Sequence, residues 1–138
     1  MQYQAALSVK QILNSLAWYT GWALGLPEML IDFVEPGLKL NPNLMRYWGE
    51  YFRVIFPAFF VSAGILAATI VNLFLRKRKV FADKRFLFLA LWFPLALAPV
   101  VLLPFHKSTY YLAPALPAFW GILGFLVFSA KLPRLVLV

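Results

Sequence analysis

YFRVIFPAFFVSAGILAATIVNLFL, Tyr51 to Leu75, decides the fold. Fourteen of these residues are Leu, Ile, Phe or Val, and the only charge, Arg53, stands near one end. Each large apolar side chain gains roughly 0.3 to 0.6 kcal/mol in a bilayer, so together they outweigh Asn72 and Arg53. At 1.5 Å per residue the stretch reaches roughly 37 Å, enough to cross a hydrocarbon core of about 30 Å with some tilt. Pro57 falls in the first two turns, where a lost hydrogen bond costs least. The residues predict a membrane-spanning helix.

Two further spans follow. Phe86 to Phe105, FLFLALWFPLALAPVVLLPF, carries no charge. Its Pro94, Pro99 and Pro104 each remove an intrahelical bond, which predicts a kinked or broken helix with freed carbonyls facing protein or water. Tyr110 to Ala130 supplies the next span, with Pro114 and Pro117 near its start. Only His106 to Thr109 separates the two, so a tight helical hairpin is expected. Trp92 and Trp120 lie in mid-span, where core packing is their expected role.

Lysine and arginine set the orientation. Arg76, Lys77, Arg78, Lys79, Lys84 and Arg85 oppose a single acid, Asp83, so this loop should be cytoplasmic. The HKST tip is then extracytoplasmic, and the tail with Lys131 and Arg134 is cytoplasmic. Overall composition agrees: 63% of residues are hydrophobic and 13% charged, against about 25% charged in soluble domains. The net charge of +8 flanks apolar runs, which speaks for topology and against nucleic acid. With no cysteine, disulfides and thiolate chemistry are excluded, and a lone histidine makes a zinc site improbable. No cofactor is evident, although composition leaves a divalent metal open. The start of the chain lacks the pattern of a cleavable signal peptide. One membrane domain over 1–138 is expected.

The first fifty residues admit two readings. Ile12 to Val34 is long enough to span, but Pro27, Glu28 and Asp32 lie inside it. A mid-membrane carboxylate costs about 2.5 to 3.5 kcal/mol, less near the outer interface. The rival is an amphipathic helix in the interface, with Gln4, Ser8, Gln11 and Ser15 as a polar edge continuing into Trp18 and Trp22. The span is favoured. The expected fold is thus an all-α polytopic bundle of three or four transmembrane helices (12–34, 51–75, 86–105, 110–130) in the cytoplasmic membrane, both termini cytoplasmic. Glu35 to Glu50 becomes an outer loop, with EPG and NPN as turns and Tyr47 and Trp48 as interface anchors.

Four of the five acids, Glu28, Asp32, Glu35 and Glu50, gather on the predicted outer side. Glu28 and Asp32 are spaced to share a helix face, as are Asp32 and Glu35. A metal or general-base cluster is the functional reading. The simpler one is that acids collect where the positive-inside bias leaves room. The tip HKSTYYLAPALPAF offers more. Lys107, beside Ser108, Thr109, Tyr110 and Tyr111, can hold a phosphate as a point charge, with helix-terminal amides adding positive potential. Against this, any hairpin tip needs polar residues, and lysine and tyrosine anchor in headgroups. His106 is more simply structural than catalytic. RKRKVFADKR is foremost a stop-transfer signal that can also attract anionic headgroups. Ala63 with Ala67, and Gly64 with Ala68, suit close helix contact within the chain or with a membrane protein partner.

The segment 106–124, HKSTYYLAPALPAFWGILG, resembles the C-terminal membrane hairpin of GT-C fold glycosyltransferases that use polyprenyl-phosphate-linked sugars, of the protein O-mannosyltransferase and aminoarabinose transferase types. Lys107, Tyr110, Tyr111, Leu112, Pro114, Leu116, Pro117 and Ala118 carry the likeness. It implies that Lys107, with His106, meets the phosphate of the lipid carrier, and that Tyr110 and Tyr111 line the carrier groove. Such enzymes run to several hundred residues, with catalytic acids in an early extracytoplasmic loop that has no counterpart here. The likeness therefore implies a carrier-binding C-terminal portion, incomplete as a catalyst. The alternative expectation is a small non-enzymatic membrane protein that packs against a partner.

Overall fold

The computed structural model describes residues 8–35, 39–103 and 107–130. The fold is all-α apart from one short ribbon. Helix α1 covers Val9–Ala23, α2 Pro42–Arg76, α3 Lys84–Val101 and α4 Leu116–Ala130. Between α1 and α2, a 3-10 helix (Glu28–Phe33) leads into the antiparallel pair β1 (Val34–Glu35) and β2 (Lys39–Leu40). Shorter 3-10 helices, Arg78–Ala82 and Thr109–Leu112, make the two turns of the α2–α3–α4 zigzag.

Helix α2 contains the whole 51–75 stretch and starts earlier, at Pro42. Asn41 caps it: the Asn41 side chain accepts from the Asn43 amide at 2.9 Å, and proline takes the first helical position. The NPN expected to be a turn is therefore a helix start. Tyr47 and Trp48, expected in an outer loop, stand exposed on the first turns of α2. The 35 residues reach about 52 Å at 1.5 Å each, so α2 overhangs any bilayer it crosses.

Helix α3 runs unbroken through Pro94 and Pro99; Pro104 lies outside the described residues. It packs antiparallel to α4. Phe93 meets Phe119, Leu89 fills the space beside Gly121, and Phe86 meets Phe125. A Cβ at Gly121 would stand 3.0 Å from Leu89, which explains the glycine there. Helices α2 and α4 run parallel. Ser62 and Leu66 border the same groove as Phe119 and Leu123, and at the far end the Lys77 ammonium donates to the Ser129 carbonyl at 2.8 Å. The basic loop and the end of α4 thus lie together, opposite the 107–112 turn.

The favoured reading of 12–34 as a span is not what forms. Helix α1 stops at Ala23 after 15 residues, about 22 Å, short of a hydrocarbon core of about 30 Å. Gly25 ends it at φ 101°. The Gly25 amide donates to the Trp22 carbonyl and the Leu26 amide to the Gly21 carbonyl, closing both orphan acceptors in a Schellman cap. Leu26 then lies across Gly21, where a Cβ would come within 2.9 Å of its methyl. Of the polar edge drawn for the interfacial rival, Ser15 and Trp22 are buried and Gln4 lies outside the described residues, while Val9 and Leu13 are exposed.

Burial concentrates at one end. Tyr19, Trp22 and Ala23 of α1 pack with Leu97 and Val101 of α3, Leu112 and Ala115 of the turn, and Phe119 of α4. A smaller cluster, Leu30, Leu44 and Phe52, holds the first 3-10 helix against α2. Away from this end the helices present apolar side chains outward. On α2, Phe60, Val61, Ile65, Val71, Phe74 and Leu75 are each more than half exposed, as are Phe88, Leu91 and Leu95 on α3. Both helices are long and apolar enough to cross a membrane, and water is a poor neighbour for a belt of that extent. Trp92 and Trp120, expected in the core, belong to the belt instead, at 38% and 61% exposure.

Candidate functional site at the hairpin turn

Glu28 and the Ser108–Thr109 pair meet at the end where α1 docks. Ser108 is in extended conformation and caps the 3-10 helix behind it, its hydroxyl accepting from the Tyr110 amide at 3.3 Å. The Thr109 hydroxyl donates to the Glu28 carboxylate, and the Ser108 hydroxyl and Thr109 amide also bond to that carboxylate. The Thr109 hydroxyl chiefly holds the Glu28 carboxyl below its ordinary value; burial opposes this, and the other two donors reinforce it. Tyr19 comes from α1 to the same place, fully buried, beside the Ser108 main chain, Glu28 and Tyr111.

This arrangement dissolves the expected acidic cluster. In a 3-10 helix successive residues turn by about 120°, so Glu28 and Asp32 do not share a face as they would on an α-helix. Asp32 is exposed, and Glu35 leaves along β1, where it accepts from the Asn41 amide group at 3.2 Å. No group of acids or histidine suited to a metal forms among the described residues.

Two of the amides expected to greet a phosphate are engaged, that of Thr109 by Glu28 and that of Tyr110 by the Ser108 hydroxyl. What is left for an anion is Lys107. It is half-buried, and burial pushes its ammonium pKa down. It takes part in no ion pair among the described residues. Tyr110 beside it is 82% exposed, while Tyr111 is half-buried, its ring edge-on to that of Tyr110 at 5.9 Å. His106 lies outside the described residues. The structure therefore adds Glu28 and Tyr19 to the turn that carries Lys107, Tyr110 and Tyr111, and leaves Asp32 and Glu35 apart.

Nothing in sequence spacing tied Glu28 or Tyr19 to this turn, since 81 positions separate Glu28 from Thr109. A readable hint was the GLP following α1, which forces the chain back toward its own end.

No family model matches the chain, and no curated protein or solved structure does. The likeness to GT-C hairpins rests on the residues 106–124 alone.

Proposed function

We propose that the chain is a multi-pass protein of the cytoplasmic membrane whose outer turn binds the phosphate of a polyprenyl-phosphate-linked sugar, as the carrier-binding part of a GT-C type glycosyltransferase. Three segments cross in this reading: α2, α3, and residues 109–130, in which the Thr109–Leu112 turn and the residues after it lengthen the path of the 15-residue α4. The basic loop faces the cytoplasm, and α1 is folded onto the outer end. The observation that carries the carrier site is Lys107: a half-buried cation, unpaired among the described residues, beside the exposed Tyr110. Burying an ammonium without a counter-ion is costly, and an anionic ligand relieves that cost. Glu28 supports the site indirectly, by anchoring Ser108 and Thr109 so that Lys107 is presented from a fixed turn. The Thr109 amide is turned to the Glu28 carboxylate, and in this reading the ligand phosphate meets Lys107 and the exposed Tyr110. No cluster of acids forms among the described residues, and in this reading the acids for sugar transfer come from elsewhere.

The test is affinity for a polyprenyl phosphate in detergent or nanodiscs. Lys107→Ala weakens it while membrane insertion is retained; unchanged affinity removes the proposal.

A second reading is a non-enzymatic membrane protein that packs on a partner. It is favoured by Gly64, where a Cβ would meet no neighbour within 4 Å, and by the exposed Ala67 and Ala68. Crosslinking from this face in native membranes to a single protein, with no affinity for polyprenyl phosphate, selects it over the first.

A further inference from the structure

The basic loop is more than a count of charges, because its six cations divide into two kinds. Two are spent within the fold. Lys77 donates to the Ser129 carbonyl at the end of α4, and Arg78 lies over the Phe74 ring at 5.0 Å, its Nε near the Phe74 carbonyl at 3.3 Å. The other four, Arg76, Lys79, Lys84 and Arg85, are exposed and have no side-chain partner among the described residues. The one acid nearby pairs with none of their side chains among the described residues. The Asp83 carboxylate accepts from the Arg85 amide at 2.8 Å, as the cap of α3.

The loop is also held in place. Phe81, from its 3-10 helix, packs against Phe74 at 6.1 Å and against Phe86 at 5.3 Å, and Phe86 continues to Phe125. One aromatic ladder thus joins α2, the turn, α3 and α4 beneath the cations. Just beyond it the outward-facing side chains are mostly apolar, Asn72 apart, with Leu75 68% and Phe88 62% exposed.

We propose that Arg76, Lys79, Lys84 and Arg85 form a binding surface for anionic phospholipid headgroups. A lipid headgroup fits where a nucleic acid does not, because the cations border the apolar belt. The phosphate of a lipid can sit among them while its acyl chains lie along α2 and α3. Lysine and arginine near an anionic membrane surface attract it additively over about a Debye length. The inference rests on the membrane reading of α2 and α3, and is independent of Lys107.

The full chain, reconstituted in nanodiscs of phosphatidylcholine with rising fractions of phosphatidylglycerol, tests this through the lipids it retains on native mass spectrometry. Wild type is expected to enrich phosphatidylglycerol by roughly tenfold, with the preference reduced at high salt. R76Q/K79Q/K84Q/R85Q loses that preference, and the milder K79Q/K84Q loses part of it. Incorporation of wild type without enrichment overturns the lipid site and leaves the membrane reading standing. A chain that never enters the disc overturns both.

Discussion

The Glu28 carboxylate accepts a hydrogen bond from the Thr109 hydroxyl, joining the segment after α1 to the α3–α4 turn across 81 positions of chain. With Ser108 and the Thr109 amide on the same carboxylate, this contact fixes where Lys107 and Tyr110 are presented. Losing it should loosen the turn and leave the helix pair α3–α4 intact.

Thr109→Val and Glu28→Gln are each expected to lower stability by about 1 to 2 kcal/mol, the range for a hydrogen bond to a charged group discounted for partial exposure. The double variant should lose less than the sum, with a coupling of about 1 kcal/mol. Denaturant titration of detergent-solubilised protein measures this.

Acid should release the same contact. The folded Glu28 pKa lies below its ordinary value of 4.5, so its stabilisation is fully present above about that pH and is lost as pH falls through the lower, folded value. The protection of the Thr109 and Tyr110 amides against exchange, relative to the unfolded chain at the same pH, should fall over that acid range in wild type. In Glu28→Gln that fall should be absent.

Gly25 at φ 101° cannot take a side chain without strain. Gly25→Ala is expected to cost about 1 to 2 kcal/mol by the left-handed penalty. Gly21→Ala, which displaces the movable Leu26 side chain, should cost less. Unfolding followed by the fluorescence of Trp18 and Trp22, whose rings lie 6.0 Å apart on α1, separates the two.

Lys107 distinguishes a ligand site from a structural anchor. Burial lowers its folded pKa, so its charge is disfavoured by folding, and Lys107→Met should leave stability unchanged or raise it. The same variant should abolish polyprenyl-phosphate affinity. A variant that is destabilised and still binds would assign Lys107 to the scaffold.

The legible parts of this sequence were those set by long-range averages. Tyr51 to Leu75 reads as helix because nearly every residue in it prefers lipid, and α2 contains it. The errors came where one or two residues override an average. Asn41 with Pro42 starts a helix inside an expected loop, and Gly25 stops one inside an expected span. Both signals are local cap chemistry, readable in principle from NPN and GLP. The orientation of Trp92 and Trp120 was not readable, because an all-apolar helix gives no polar face to mark its outside. Nor was the Glu28–Thr109 contact, which depends on where α1 docks. The hairpin turn carrying Lys107, Tyr110 and Tyr111 was legible, while the hold of the Ser108 hydroxyl on the Tyr110 amide was not.

The central claim is that the turn carrying Tyr110 and the loop carrying Lys79 lie on opposite faces of a bilayer. The chain has no cysteine of its own, so Tyr110→Cys and Lys79→Cys, both at exposed positions, give one thiol each. Labelled with a membrane-impermeant maleimide in sealed vesicles of known orientation, the two should react from opposite sides. Reaction of both from the same side would contradict the account.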